Sequence, residues 1–334
     1  MYHAAHFVTC RNMSLEPIRK LVAEDLRAVD HVIRTRLASD VVLVNQVAEY
    51  IVNSGGKRLR PLLVLIAARA CGYREERHPE AAAIIELIHT ATLLHDDVVD
   101  ASELRRGRDT ANSLWGNEAS VLVGDYLYSR AFEMMVSLND MRIMDVMATA
   151  TNKIAEGEVL QLMNAHDPET TEQQYLEVIY RKTAKLFEAG TQIAAILAHA
   201  PGPVETAIAA YGKHLGTAFQ LIDDVLDFNA NPQQLGKNLG DDLAEGKPTL
   251  PLIHALRNVG SSEQTLIRDA IENGGVAELD RITAVIESTG GLKYTARLAR
   301  READLAIESL GAIPDSAYTQ ALRELADFAV ARDH

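Results

Sequence analysis

Apolar residues recur at three- and four-residue spacing along nearly the whole chain, and no segment sustains the alternation of a half-buried strand. The pattern predicts an all-α bundle of roughly ten to twelve helices joined by short punctuated loops. Ser54-Gly55-Gly56 closes a helix running through Tyr50, and Arg60-Pro61 starts the next one, with proline at a tolerated first-turn position. Cys71-Gly72 ends that helix, and His78-Pro79 opens another whose pattern runs unbroken to about Val99. The stretch 101–116 is charged and irregular; further helices are expected over 119–138, 141–164, 171–199 and 204–229. Between Asn231 and Pro248 lie Pro232, Gly236, Gly240 and Gly246, a loop long enough to cover a site. No linker divides the chain, so residues 1–12 are expected to be a disordered tail and 13–334 a single domain.

Composition narrows the class. Apolar residues make up 47 % of the chain and aromatics only 5 %, so its core must rest on Ala, Leu, Ile and Val, which suits packed helices. A net charge of −14 argues against nucleic acid as a partner, because phosphate neutralisation needs an extended basic face. Cys10 and Cys71 have no metal-ligand spacing and are too few for a disulfide framework, which points to a reducing, cytoplasmic setting. No stretch reaches the length of a membrane span.

The acidic residues are not evenly spread. Asp96, Asp97 and Asp100 end one apolar helix, and Asp223, Asp224 and Asp227 repeat their spacing in another. At i, i+1 and i+4 the carboxylates are expected to share one side of about one turn, where like charges cost stability unless a cation relieves them. Oxygen-only ligands completed by substrate phosphates suit Mg²⁺ rather than zinc or copper. One acidic run is ordinarily a solvated helix end, but two identical runs call for a common ligand. Glu86-x-x-His89 and Glu75-x-x-His78 have the form used in di-iron bundles, yet they lie too close together to come from separate helices.

Two basic clusters oppose the overall charge. Lys57, Arg58 and Arg60 stand in GGKRLRP at a helix start, where the dipole favours anions, and Arg105, Arg106 and Arg108 follow Asp100 closely. Either run alone reads as a solvated loop; beside the aspartates they suggest diphosphate clamps. Lys182 and Thr183 interrupt an amphipathic helix, Lys237 and Lys247 stand in the covering loop, Gln220 lies one turn before Asp223, and His89 lies two turns before Asp96.

These segments together resemble the trans-isoprenyl diphosphate synthases: GGKRLRP at 55–61, LLHDDVVD with RRG at 93–107, KTA at 182–184, FQLIDDVLD at 219–227 and LGKNLGDDLAEGKPTLP at 235–251. The likeness covers nearly everything after Met13; IHTATLLHDDVVD and AEGEVLQL are most similar to the bacterial, octaprenyl-forming members. The resemblance implies an isoprenoid-synthase bundle around a central cavity, in which Asp96, Asp97, Asp100 and Asp223 hold Mg²⁺, with Asp224 and Asp227 as support or further ligands. It places Arg105, Lys182, Gln220 and Lys237 at the allylic diphosphate, Lys57, Arg60, His89 and Arg106 at isopentenyl diphosphate, and Thr183 and Lys247 near the reacting groups.

The same likeness implies a homodimer that makes a long prenyl chain for quinones and touches membrane transiently to release it. Ala91 and Thr92, both small and expected just below Asp96, leave the tunnel open, with Tyr126, Tyr128, Phe132, Met134 and Met135 as bulk for its floor. A terpene cyclase also ionises allylic diphosphates but needs no isopentenyl site, and a non-catalytic partner subunit could lose its aspartates; both sets are retained here.

Overall fold

The computed structural model describes residues 14–53, 56–105, 107–229 and 240–332. The expected tail at 1–12, Arg106, and the part of the covering loop that carries Lys237 lie outside them.

The described chain is a helical bundle whose centre is Leu59–Ala70, a helix buried nearly all round, from Leu62 to Ala68 without interruption. A helix apolar on every face has no solvent side and must be enclosed. His78–Val99, Lys185–Leu197 and Ala317–Ala331 are among the helices that pack against it. Its own central run, Leu62 to Ile66, is bulky, and small residues sit on its neighbours, where Ala81, Ala82, Ala83 and Ala91 or Ala189, Ala194 and Ala195 let backbones approach. Pro79 occupies the first turn of His78–Val99, where its missing N–H costs nothing. A second apolar cluster joins Tyr175 and Ile179 to Leu221, Ile222 and Leu226, and a third holds the helices from Leu250 to Thr289 together.

Several expected helices are found with nearly the expected bounds: Val42–Asn53, Asn117–Ser137, Met141–Asn164 and Gly202–Asn229. Three local features differ. The stretch after Asp100 is not simply irregular: Leu104–Arg105 and Arg108–Asp109 pair as a small antiparallel hairpin, followed by the short helix Ala111–Trp115. The 171–199 segment divides into Glu172–Ile179, a π-helical turn Tyr180–Ala184, and Lys185–Leu197. Short pieces such as Asp241–Ala244 bring the helical segments above the ten to twelve that apolar periodicity resolves, because one turn of helix carries too few positions to show a period.

The π turn is packed from both sides by glycines. A Cβ on Gly157 would meet the Lys182 backbone nitrogen at 2.7 Å, and one on Gly216 would meet the Ala184 Cα at 2.7 Å. The helices Met141–Asn164 and Gly202–Asn229 therefore close directly onto the backbone that carries Lys182 and Thr183. Among the described residues no helix is long and apolar enough to cross a membrane.

Candidate active site

A cavity of about 1360 Å³ opens between the helices His78–Val99, Asn117–Ser137 and Met141–Asn164. Its lining is largely apolar along Tyr128, Phe132, Val136, Ile154, Val159 and Leu162, with Asp125 and Glu133 on the same wall, and Asp96, Asp100, Glu158, Glu245 and Lys247 gather at one end. Asp96 and Asp100 line it because they stand four residues apart, one turn of helix. Asp97 is rotated away from them and only 6 % of its side chain is exposed; its Oδ1 accepts from both Nε and Nη2 of Arg105 at 2.6 Å. The carboxylates of the first cluster thus do not share one side: two face the cavity and one anchors the hairpin that carries Arg105.

The second cluster divides in a similar way. Asp223 is partly exposed and pairs through Oδ1 with Arg332 Nη2 at 2.7 Å. Asp224 is 1 % exposed, and Asp227 is also buried. Gln220, expected beside Asp223, instead donates from Nε2 to Asp224 Oδ1 at 2.9 Å, the partner four residues on. Tyr175 donates from its hydroxyl to Asp224 Oδ2 at 2.5 Å.

The π turn lies between the clusters: Lys182 approaches the first directly, and Thr183 is linked to the second through Gln220. Lys182 Nζ lies 3.8 Å from Asp96 Oδ2 and donates to Glu158 Oε2 and Gln161 Oε1, each at 2.6 Å. Thr183 donates from Oγ1 to Gln220 Oε1 at 2.9 Å. At the polar end of the cavity, Lys247 Nζ pairs with Asp100 Oδ2 at 3.1 Å and with Glu245.

Burial dominates the electrostatics. It pushes the Asp224 carboxyl up to about 8, with Asp242 and Asp223 adding repulsion against the Tyr175 and Gln220 hydrogen bonds. Glu158 is pushed up to about 7 by burial and by Asp96 and Asp100, against the pull of Lys182. Asp96 is raised by burial and by Asp100, with Lys182 opposing. Lys247 is raised despite its burial by Asp242, Asp100 and Glu245.

A divalent cation fits this donor set only in part. Among the described residues no group of three or more His, Cys, Asp or Glu side chains forms a cage for a metal. Asp96 and Asp100 offer oxygen alone and are balanced by lysines, so a hard cation must bring other oxygens with it, as Mg²⁺ does when it is shared with phosphates. The di-iron alternative finds no support, since Glu86 pairs with Arg58 at 3.4 Å and His89 lies 2.9 Å from Arg60 Nη1.

The basic cluster behind the π turn is assembled on aromatic rings. Arg60 stacks over Phe187 at 4.7 Å, Lys57 lies 5.9 Å from the Phe328 ring centroid, and Arg332 stacks over Phe219 at 3.7 Å. Burial, helped by the Arg332 charge, pulls the Lys57 ammonium below its ordinary range. Arg58, by contrast, is tied into the scaffold by Asp30, Glu86 and the Val52 carbonyl, and adopts a left-handed φ of 44° as the helix cap.

The Polyprenyl synthetase family model matches residues 41–288. The chain belongs to that family. This family member is 53 % identical over 322 residues to the octaprenyl diphosphate synthase of Escherichia coli K12, covering 96 % of this chain and all of the relative. It is 48 % identical over 312 residues to an all-trans-nonaprenyl-diphosphate synthase (geranyl-diphosphate specific) of Rhodobacter capsulatus, covering 93 % of this chain and 96 % of that one. A Caulobacter crescentus polyprenyl synthase, solved in complex with calcium and isoprenyl diphosphate, superposes with a TM-score of 0.94 at 44 % identity, covering 97 % and 99 % of the two chains. The protein is thus a trans-prenyltransferase with the all-α isoprenoid-synthase fold.

The residues expected along the tunnel of this polyprenyl synthetase family member occupy different places. Thr92 lines the cavity, whereas Ala91 is fully buried in the core cluster. Four residues before Asp96 is nearly the same helix face; five residues before it is about 140° away. Tyr128 and Phe132 line the cavity and stack at 6.1 Å, but Met134 and Met135 belong to the core, and Tyr126 points its hydroxyl to the Leu37 carbonyl. Two residues at the site do not stand out in the sequence: Arg332, which no motif spacing marks, and Tyr175, which sits on an ordinary amphipathic stripe.

Proposed function

We propose that this chain is a long-chain trans-prenyl diphosphate synthase that condenses isopentenyl diphosphate onto an allylic diphosphate, with farnesyl diphosphate as primer, octaprenyl diphosphate as product and quinone side chains as its destination. The observation that carries the reading is the π turn, whose Lys182 approaches Asp96 at the polar end of an apolar cavity while Thr183 joins the second aspartate cluster through Gln220. Residues 13–334 act as one domain.

In this reading Asp96, Asp100 and Asp223 face the diphosphate with Mg²⁺, and Asp97, Asp224 and Asp227 support them. Bound there, Mg²⁺ supplies Lewis-acid stabilisation of the departing diphosphate. Lys182, Lys247, Arg105, Gln220 and the covering-loop Lys237 hold and orient the allylic diphosphate, and their charge favours the state in which its negative charge has grown. Lys57, Arg60, His89 and Arg106 hold isopentenyl diphosphate so that its double bond attacks the allylic carbon. Loss of a proton, taken up by the departed diphosphate, completes a cycle that adds one five-carbon unit. Thr183 lies beside the reacting groups, and the product grows along the wall formed by Thr92, Tyr128 and Phe132.

A homodimer is part of this reading. Its support is a run of exposed apolar side chains on two neighbouring helices, Leu122 and Val136 on one, Val159, Leu162 and Met163 on the other, beside the cavity mouth. The membrane contact rests on the chemistry of the product alone, and a reducing, cytoplasmic setting on cysteine usage.

The test is incubation of the purified protein with farnesyl diphosphate, isopentenyl diphosphate and Mg²⁺, with an EDTA control, followed by mass spectrometry of the dephosphorylated products. A dominant C40 alcohol supports the full reading, and another single length moves the product. Absence of isopentenyl incorporation from every allylic primer overturns it in favour of a cyclase or a subunit that needs a partner.

A further inference from the structure

Asp224 belongs by spacing to the second acidic cluster, but its surroundings are those of an anchor. It is 1 % exposed, and both of its oxygens are engaged by protein groups, Oδ2 by the Tyr175 hydroxyl and Oδ1 by Gln220 Nε2. Gln220 passes the connection on, because its Oε1 accepts the Thr183 hydroxyl proton. Tyr175 comes from the helix Glu172–Ile179, Asp224 and Gln220 from Gly202–Asn229, and Thr183 from the π turn, so the chain of bonds ties three segments together.

The order of donors in this chain has one consistent direction. With Oδ1 of Asp224 unprotonated, it accepts, and the amide of Gln220 turns its NH₂ to Asp224 and its oxygen to Thr183. Thr183 then spends its single proton on Gln220 and retains only lone pairs for any other neighbour. Tyr175 fills the remaining side of Asp224, which keeps the carboxyl from rotating and leaves that direction fixed.

We infer that Asp224 is not a metal ligand but the buried anchor of a hydrogen-bond chain, held by Tyr175 as a positioning residue, that fixes the orientation of Gln220 and Thr183. The inference deepens the proposed function and rests on it for the role of Gln220 and Thr183, but the assignment of Asp224 stands apart from it. Tyr175 touches neither substrate nor metal; it acts through Asp224.

The experiment compares Tyr175→Phe, Asp224→Asn, their double variant and Asp223→Asn in the full-length enzyme, each checked for an intact melting transition. For Tyr175→Phe and Asp224→Asn, kcat is expected to fall about tenfold while both KM values and the half-saturating Mg²⁺ concentration stay within about twofold. The double variant is expected to be no slower than the slower single one, because both break the same chain. Calorimetric titration with inorganic pyrophosphate and Mg²⁺ supplies a readout independent of turnover: Asp223→Asn is expected to weaken binding, and Asp224→Asn to leave it unchanged. Weakened binding in Asp224→Asn to the extent seen in Asp223→Asn overturns the inference, as does native kcat in Tyr175→Phe. If Asp224→Asn does not fold, Tyr175→Phe, which removes the anchor's outer partner without touching the substrate site, is expected to show the selective loss of kcat with native pyrophosphate binding; weakened binding there is equally fatal. Failure of the wild-type protein to incorporate isopentenyl units would instead overturn the proposed function, and the calorimetric arm would still decide the place of Asp224.

Discussion

Asp96 and Asp223 each face a cation of the protein itself, Lys182 in one case and Arg332 in the other, so each carboxylate is held ready at the polar end of the site. Removing one preorganised group of this kind costs about 10²–10³ in rate, and that loss in steady-state isopentenyl incorporation is the expected outcome for Asp96→Ala or Asp223→Ala. Glu158 makes a separate prediction. Its folded pKa of about 7 lies above the usual 4.5, so its contribution to stability is complete below that lower value and is lost as pH rises to about 7. The metal-free protein is therefore expected to lose denaturant resistance across this window, and Glu158→Gln, which cannot ionise, to show a flatter profile in urea titrations at stepped pH. Spacing made the six aspartates legible as a set, but not their division of labour. Which oxygens face the cavity depends on the rotation of each helix against its neighbours, and the hairpin that captures Asp97 through Arg105 is too short to leave a periodic mark.

At the scale of elements, the helix His78–Val99 was readable almost to the residue, because proline opens it and the apolar pattern persists for its whole length. The π turn was visible only as an interruption at Lys182 and Thr183. Two other helices close onto it where Gly157 and Gly216 lack side chains, and no local pattern reports such a distant approach. Gly157→Ala is accordingly expected to overpack this contact, destabilising the protein by about 1–3 kcal/mol in chemical denaturation and displacing Lys182 enough to reduce turnover. The wall of the cavity gives a matched pair of tests. Thr92→Phe adds bulk directly below Asp96 and is expected to shorten the product, whereas Phe132→Ala opens the wall and is expected to lengthen it, both read by mass spectrometry. Ala91→Phe, on the buried face, is expected to lower stability instead of resetting chain length.

Across the whole molecule, the dominance of small aliphatic residues predicted a helical bundle, and the reason is now concrete: alanine-lined faces let helices close around the enclosed Leu59–Ala70. Association of subunits was not written in any motif. The apolar side chains beside the cavity mouth, Leu122, Val136, Val159 and Leu162, are expected to be covered in a homodimer, with sedimentation velocity giving twice the chain mass and Leu122→Glu shifting it toward monomer. Arg332 has a more practical meaning. Its side chain is 5 % exposed, laid over Phe219 and paired with Asp223, so it ties the end of the helix Ala317–Ala331 to the second acidic cluster. A chain cut before Arg332 would lose that ion pair and the packing on Phe219 together. Trimmed versions of this enzyme should therefore retain Arg332.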